Sequence, residues 1–217
     1  MRKDPPALSR RDVLRLGLGA SLALAVDPNP TSGAPARRHT PTLQSAPLNQ
    51  RRIPSSGEML PIVGIGTARR YDVAPTPEEL APLRDVLRQF PELGGRVIDT
   101  APAYGRAESV VGDLLAELKN RDRYFVATKV SVRGGDRAAG AAQMEESMRR
   151  LRTDRIDLMQ VHNVSSPGVL LPLIEEWKAA KRVRYTGVTT GSDNQYAALE
   201  DVMKKHRFDF IQVDLAI

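Results

Sequence analysis

From about residue 51 onward the apolar positions fall into short β-branched runs separated by longer stretches of helical spacing. The runs are 62-IVGIGT-67, 97-VID-99, 124-YFVATK-129, 156-IDLMQVH-162, 185-YTGVTT-190 and 210-FIQV-213. Between them the spacing predicts helices. One begins at Thr76-Pro77-Glu78-Glu79, where Thr76 can cap, Pro77 suits the first turn and Glu79 can reach back. Others span roughly 108–119, 141–151, 169–181 and 194–206. Ahead of them 51-RRIPSSGEMLP-61 reads as a hairpin turning on Ser55–Glu58. Successive strand ends, from Thr67 to Val213, lie 24 to 33 residues apart. That is the period of strand–helix units joined into a parallel sheet.

Two architectures fit the pattern, an open doubly wound sheet and a closed (β/α) barrel. A dinucleotide fold wants a glycine-rich turn after its first strand; Gly64 and Gly66 supply G-x-G, but Arg69 stands where the third small residue belongs. A barrel instead places polar residues of unlike chemistry at the carboxyl ends of several strands. Asp99, Lys129 and His162 do this on three consecutive strands. The expected fold is therefore an α/β (β/α)8 TIM barrel, incomplete here, with about six strands and five helices. A closed barrel has eight strands and about 250 residues. Residues 1–217 are on that count expected to be a fragment without measurable turnover, its first and sixth strands left as open edges.

The amino terminus follows different rules. The stretch 9-SRRDVLRLGLGASLALA-25 joins a twin arginine to an apolar run from Leu16 to Val26. The run falls well short of the roughly twenty residues needed to span a bilayer, so no stable membrane anchor is expected. Ala23-Leu24-Ala25 is a small-x-small site predicting cleavage before Val26. The segment resembles a twin-arginine (Tat) export signal, although Val13 stands where that pattern usually has Phe. The resemblance implies the Tat machinery as a partner and a periplasmic or extracellular destination. Residues 26–50 are rich in Pro, Ser, Thr and Ala, and read as a disordered linker in which His39 is solvated. The domains expected are thus residues 1–25, a signal peptide, 26–50, a linker, and 51–217, a partial barrel.

Charge adds little. The formal net charge is +6, and half of that excess comes from Arg2, Lys3, Arg10, Arg11 and Arg15 against Asp4 and Asp12. The remainder, without basic clusters interleaved with aromatics, gives no reason to expect nucleic acid. The absence of cysteine excludes disulfides, Cys-based zinc sites and thiol nucleophiles, and no metal site is expected.

The chemistry is concentrated in 97-VIDTAPAYG-105, where a strand ends on Asp99 and Tyr104 stands just beyond it. Singly, each residue has a structural reading: Asp99 as a turn cap, Lys129 as a lysine reaching for water, His162 as a satisfied core histidine. Trp177 and Arg69-Arg70 are left as helix packing and a solvated loop. Together, Asp99, Lys129 and His162 must converge at one barrel mouth, with Tyr104 on the loop above.

The segments 97-VIDTAPAYGRAESVVGDLL-115, 126-VATKV-130 and 147-SMRRLRTDRIDLMQVHN-163 resemble those of the aldo-keto reductases. The resemblance covers about Met59 to Ile217. It implies a (β/α)8 barrel that transfers hydride between NADPH and a small-molecule carbonyl substrate. It implies Tyr104 as proton donor, Asp99 and Lys129 as its supporting pair, and His162 as the carbonyl-facing histidine. The chemistry accounts for those types: a carbonyl oxygen that gains charge needs a positioned acid, and an ammonium beside a phenol favours the phenolate. For the nicotinamide carboxamide the family uses a Ser-Asn pair and a Gln. Here Thr189 and Thr190 occupy the pair's positions, and Gln212 matches the glutamine. The rival expectation is a non-catalytic barrel remnant or exported binding protein.

Overall fold

A computed structural model describes residues 48–214, so the signal segment and nearly all of the linker lie outside the described residues. The chain opens with the expected hairpin, β1 (Gln50–Arg52) against β2 (Met59–Pro61), with Arg52 opposite Met59. Gln50, assigned to the linker from sequence, is already in β1. Then follow β3 (Gly64–Gly66), α1 (Pro77–Gln89), β4 (Val97–Asp99), α2 (Ala107–Leu118), β5 (Phe125–Val130), α3 (Arg137–Arg150), β6 (Ile156–Val161), α4 (Pro167–Ala179), β7 (Val183–Thr189), α5 (Tyr196–Lys205) and β8 (Phe210–Gln212). Strands β3 to β8 form one sheet in sequential order, every pair parallel. It is an incomplete α/β barrel: among the described residues β3 and β8 each have one strand neighbour.

Local chemistry explains two of the helix starts. Thr76 caps α1 by accepting from the Glu79 amide at 3.4 Å, with Pro77 at the first helical position. Helix α3 starts four residues ahead of the expected Ala141, because the Asp136 carboxylate accepts from the amides of Ala138 and Ala139 at 2.8 and 3.1 Å. His162 lies just past β6, in a short 3₁₀ turn, rather than inside the strand.

Strand alternation divides the sheet into two faces. Outward residues such as Ile98, Val126, Val130, Met159 and Val188 pack with Leu114, Met144, Leu170 and Ile174 of the helices. Inward residues Phe125, Ala127, Leu158 and Tyr185 form a smaller core with Ile53 and Leu60 of the hairpin region. β5 and β6 are buried throughout, as strands covered on both faces must be. The hairpin turn is fastened to β7 by charge: Glu58 accepts from Arg184 and from the Tyr185 hydroxyl, the latter at 2.8 Å. The hairpin docks at the amino end of the sheet's inner face, away from the carboxyl ends of the strands.

Candidate active site

Asp99, Lys129, Gln160, Thr189 and Gln212 share the parity of the inner face, since Phe125, Ala127, Leu158, Tyr185 and Phe210 point there. The register sets Lys129 beside Gln160 and Thr189 beside Gln212. Polar residues occupy the inner rows at the carboxyl end, and apolar ones the rows beneath. A period-two pattern that switches from apolar to polar is what makes a barrel mouth.

Lys129 is the centre. Its side chain is 2% exposed, yet its ammonium donates to both Asp99 carboxylate oxygens at 2.8 Å and to the Thr100 carbonyl at 3.0 Å. All three ammonium hydrogens are thereby placed. The ammonium also lies 5.1 Å from the centre of the Tyr104 ring.

Tyr104 is held by a turn. Its amide donates to the Ala101 carbonyl, and its own carbonyl accepts from Ala107, both at 3.0 Å. Gly105 has φ +57°, and a Cβ there would run into the Asp72 carboxylate, which accepts from the Arg106 amide at 3.0 Å. Glycine takes this conformation without strain. The Tyr104 and His162 rings meet edge to face, with centroids 6.1 Å apart.

His162 is half-buried, and its imidazole is pushed below its ordinary pKa by burial first and the Lys129 ammonium second, Asp99 opposing. It is therefore neutral at neutral pH, with one N–H to donate. The turn that carries it is strained: Asn163, Val164 and Ser166 all have positive φ, 53°, 52° and 48°.

The expected cofactor residues divide. Gln212 is exposed at the outer strand, its amide 3.4 Å from Asp99 and 3.5 Å from Gln160. A side chain so loosely held fits a carboxamide. Thr189 is buried and accepts from the Asn163 amide at 3.1 Å, tying β7 to the His162 turn. The Thr190 hydroxyl donates to Gln195 at 2.7 Å and accepts from the Ser192 amide at 3.2 Å, so it is used inside its own loop. Trp177 packs as expected, with the Arg182 guanidinium 3.9 Å above its ring, and Arg69 and Arg70 are exposed.

Gln160 went unrecognised in the sequence, although a buried amide in an apolar strand two residues before His162 is a legible signal. Glu108 and Thr128, linked by a 2.7 Å hydrogen bond behind the site, gave none.

The aldo/keto reductase family matches residues 63–217. The chain belongs to that family. Among curated relatives, methylglyoxal reductase YeaE of Escherichia coli is 36% identical over 163 residues, covering 71% of this chain and 54% of the relative. Aldo-keto reductase YhdN of Bacillus subtilis is 33% identical over 138 residues, covering 56% of this chain and 41% of the relative. Among solved structures, the Klebsiella pneumoniae aldo-keto reductase in complex with NADPH superposes with a TM-score of 0.54 at 28% identity, covering 67% of this chain and 51% of that one. The chain thus spans about half the length of these relatives.

Proposed function

We propose that this protein is an NADPH-dependent reductase of small aldehydes and ketones, with Tyr104 as its proton donor. The observation that carries the reading is the buried Lys129 ammonium, paired with the half-buried Asp99 and lying against the Tyr104 ring. A buried charge with a carboxylate partner is weak evidence of stability, and is kept where chemistry needs a fixed charge.

When bound, NADPH supplies the hydride to the carbonyl carbon. The oxygen gains the electron pair and takes the Tyr104 hydroxyl proton, which solvent later replaces. Lys129 stabilises the negative charge left on the phenol, and Asp99 keeps the ammonium from swinging away. Neutral His162 donates its N–H to the same oxygen, orienting the substrate and sharing the charge. Gln212 is assigned the nicotinamide carboxamide, while Thr189 and Thr190, at the family pair's positions, have hydroxyls bonded to Asn163 and Gln195 instead. Methylglyoxal is a suitable first substrate, given the activity named for the E. coli relative.

We propose further that Arg10-Arg11 directs export by the twin-arginine route, on the sequence pattern of residues 9–25.

The second reading, a non-catalytic barrel scaffold, is favoured by Thr190, whose hydroxyl is taken up by Gln195 and the Ser192 amide inside its own loop. Following NADPH oxidation with methylglyoxal and a series of aldehydes, using protein made from the complete gene, separates the two. Substrate-dependent oxidation supports the reductase. NADPH binding without oxidation, or no binding at all, supports the scaffold.

A further inference from the structure

We infer that Glu108 is a positioning residue for this site, setting the relation between the tyrosine-bearing turn and the lysine-bearing strand; the inference rests on the catalytic reading above. Glu108 lies in the first turn of α2, four residues after Tyr104, and has no exposed surface. An acidic residue in a helix's first turn needs no burial, because the favourable field at a helix N-terminus reaches the surface too. Here the carboxylate is carried inside, between α2, β5 and α3.

Its partners explain where it goes. One oxygen accepts from the Thr128 hydroxyl at 2.7 Å, and the other faces the Arg150 guanidinium at 3.5 Å. Burial pushes the carboxyl above its ordinary pKa, and the Thr128 hydrogen bond and Arg150 oppose that. Thr128 is itself fully buried. It immediately precedes Lys129, and strand alternation turns the two side chains to opposite faces. Glu108 therefore grips β5 from outside at the point where Lys129 leaves it on the inside. Helix α2 joins directly to the Tyr104 turn, through the Ala107 amide on the Tyr104 carbonyl. A shift of α2 along β5 would move the phenol relative to the ammonium, and the Glu108–Thr128 bond opposes that shift. Arg150 extends the grip to α3, and it also lines a cavity of about 420 Å³ that reaches His162.

The experiment is a double-mutant cycle on protein made from the complete gene: Glu108→Ala, Thr128→Val and the double variant, with Glu108→Gln as the conservative change. Positioning predicts that each single change lowers kcat by tenfold or more at nearly unchanged KM and NADPH affinity. It predicts that the double variant is no slower than the slower single, and that Glu108→Gln recovers most of the rate. A merely structural role predicts a lower Tm with kcat per folded molecule kept, and that result overturns the inference. So do additive effects.

Should wild type show no turnover, the catalytic reading fails separately, and acylation of Lys129 followed by mass spectrometry still tests the geometry. In protein with a native near-UV spectrum, Lys129 is expected to be protected in wild type and labelled several-fold faster in Glu108→Ala and Thr128→Val. Equal protection in all three overturns the inference.

Discussion

The Lys129 ammonium donates to both carboxylate oxygens of Asp99 at 2.8 Å, but the two residues do not share their burial equally. The lysine side chain is 2% exposed and the aspartate 23%. Removing the aspartate strands a charge in the interior, whereas removing the lysine leaves one that water can reach. Asp99→Asn is therefore predicted to cost about 3 kcal/mol or more of folding stability, and Lys129→Met clearly less. Urea unfolding of both variants checks the order; equal losses would contradict it.

Gly105→Ala would place a side chain at φ +57° and against the Asp72 carboxylate. The strain alone is worth about 1–2 kcal/mol. Because the turn carries Tyr104, the rate is predicted to fall more than the stability does. Unfolding and turnover measured side by side test this; a Gly105→Ala protein that is destabilised yet fully active would show that the turn does not position the phenol.

His162 gives a pH signature. Its pKa is lower folded than unfolded, so the unfolded chain takes up a proton first as pH falls. Its contribution to stability is complete above the ordinary histidine value of 6.5 and is lost as pH falls from there towards the depressed folded value. The urea midpoint is predicted to decline below about pH 6.5, and His162→Asn to flatten that limb. An identical slope in the variant would place the titration elsewhere.

Gln212→Ala tests the cofactor side. The exposed amide holds only long contacts to Asp99 and Gln160, so its loss should leave Tm unchanged. One hydrogen bond to the carboxamide is worth about 1 kcal/mol, which predicts NADPH binding weaker by about three- to tenfold. Unchanged affinity by nicotinamide fluorescence would remove Gln212 from the site.

Much of this was legible because strand order followed sequence order. Each β-branched run became the next strand of the sheet, so residues at run ends, Asp99, Lys129 and His162, had to meet. Helix α3 began earlier than its apolar spacing suggested, because Asp136 capped a polar first turn that periodicity does not detect. Glu108 was illegible for a deeper reason. An acid in a first helical turn looks the same whether it faces water or Thr128, and only the packing of α2 against β5 decides. The use of the Thr190 hydroxyl by Gln195 likewise depends on a loop path that residue types do not encode.

Arg10→Lys with Arg11→Lys is predicted to retain the precursor inside the cell, because the receptor of the twin-arginine route reads the guanidinium pair. Fractionation of cells expressing each version provides the check. Normal export of the Lys-Lys version would show that residues 9–25 serve another purpose.

The central claim is that Tyr104 delivers the proton, and Tyr104→Phe tests it most directly, since it removes one oxygen and keeps the ring against Lys129 and His162. NADPH-dependent reduction and NADPH affinity are to be measured together on protein made from the complete gene. The account predicts turnover lower by about two to four orders of magnitude, the usual worth of a general acid, with NADPH affinity nearly intact. A Tyr104→Phe protein that reduces the carbonyl at the wild-type rate would contradict it.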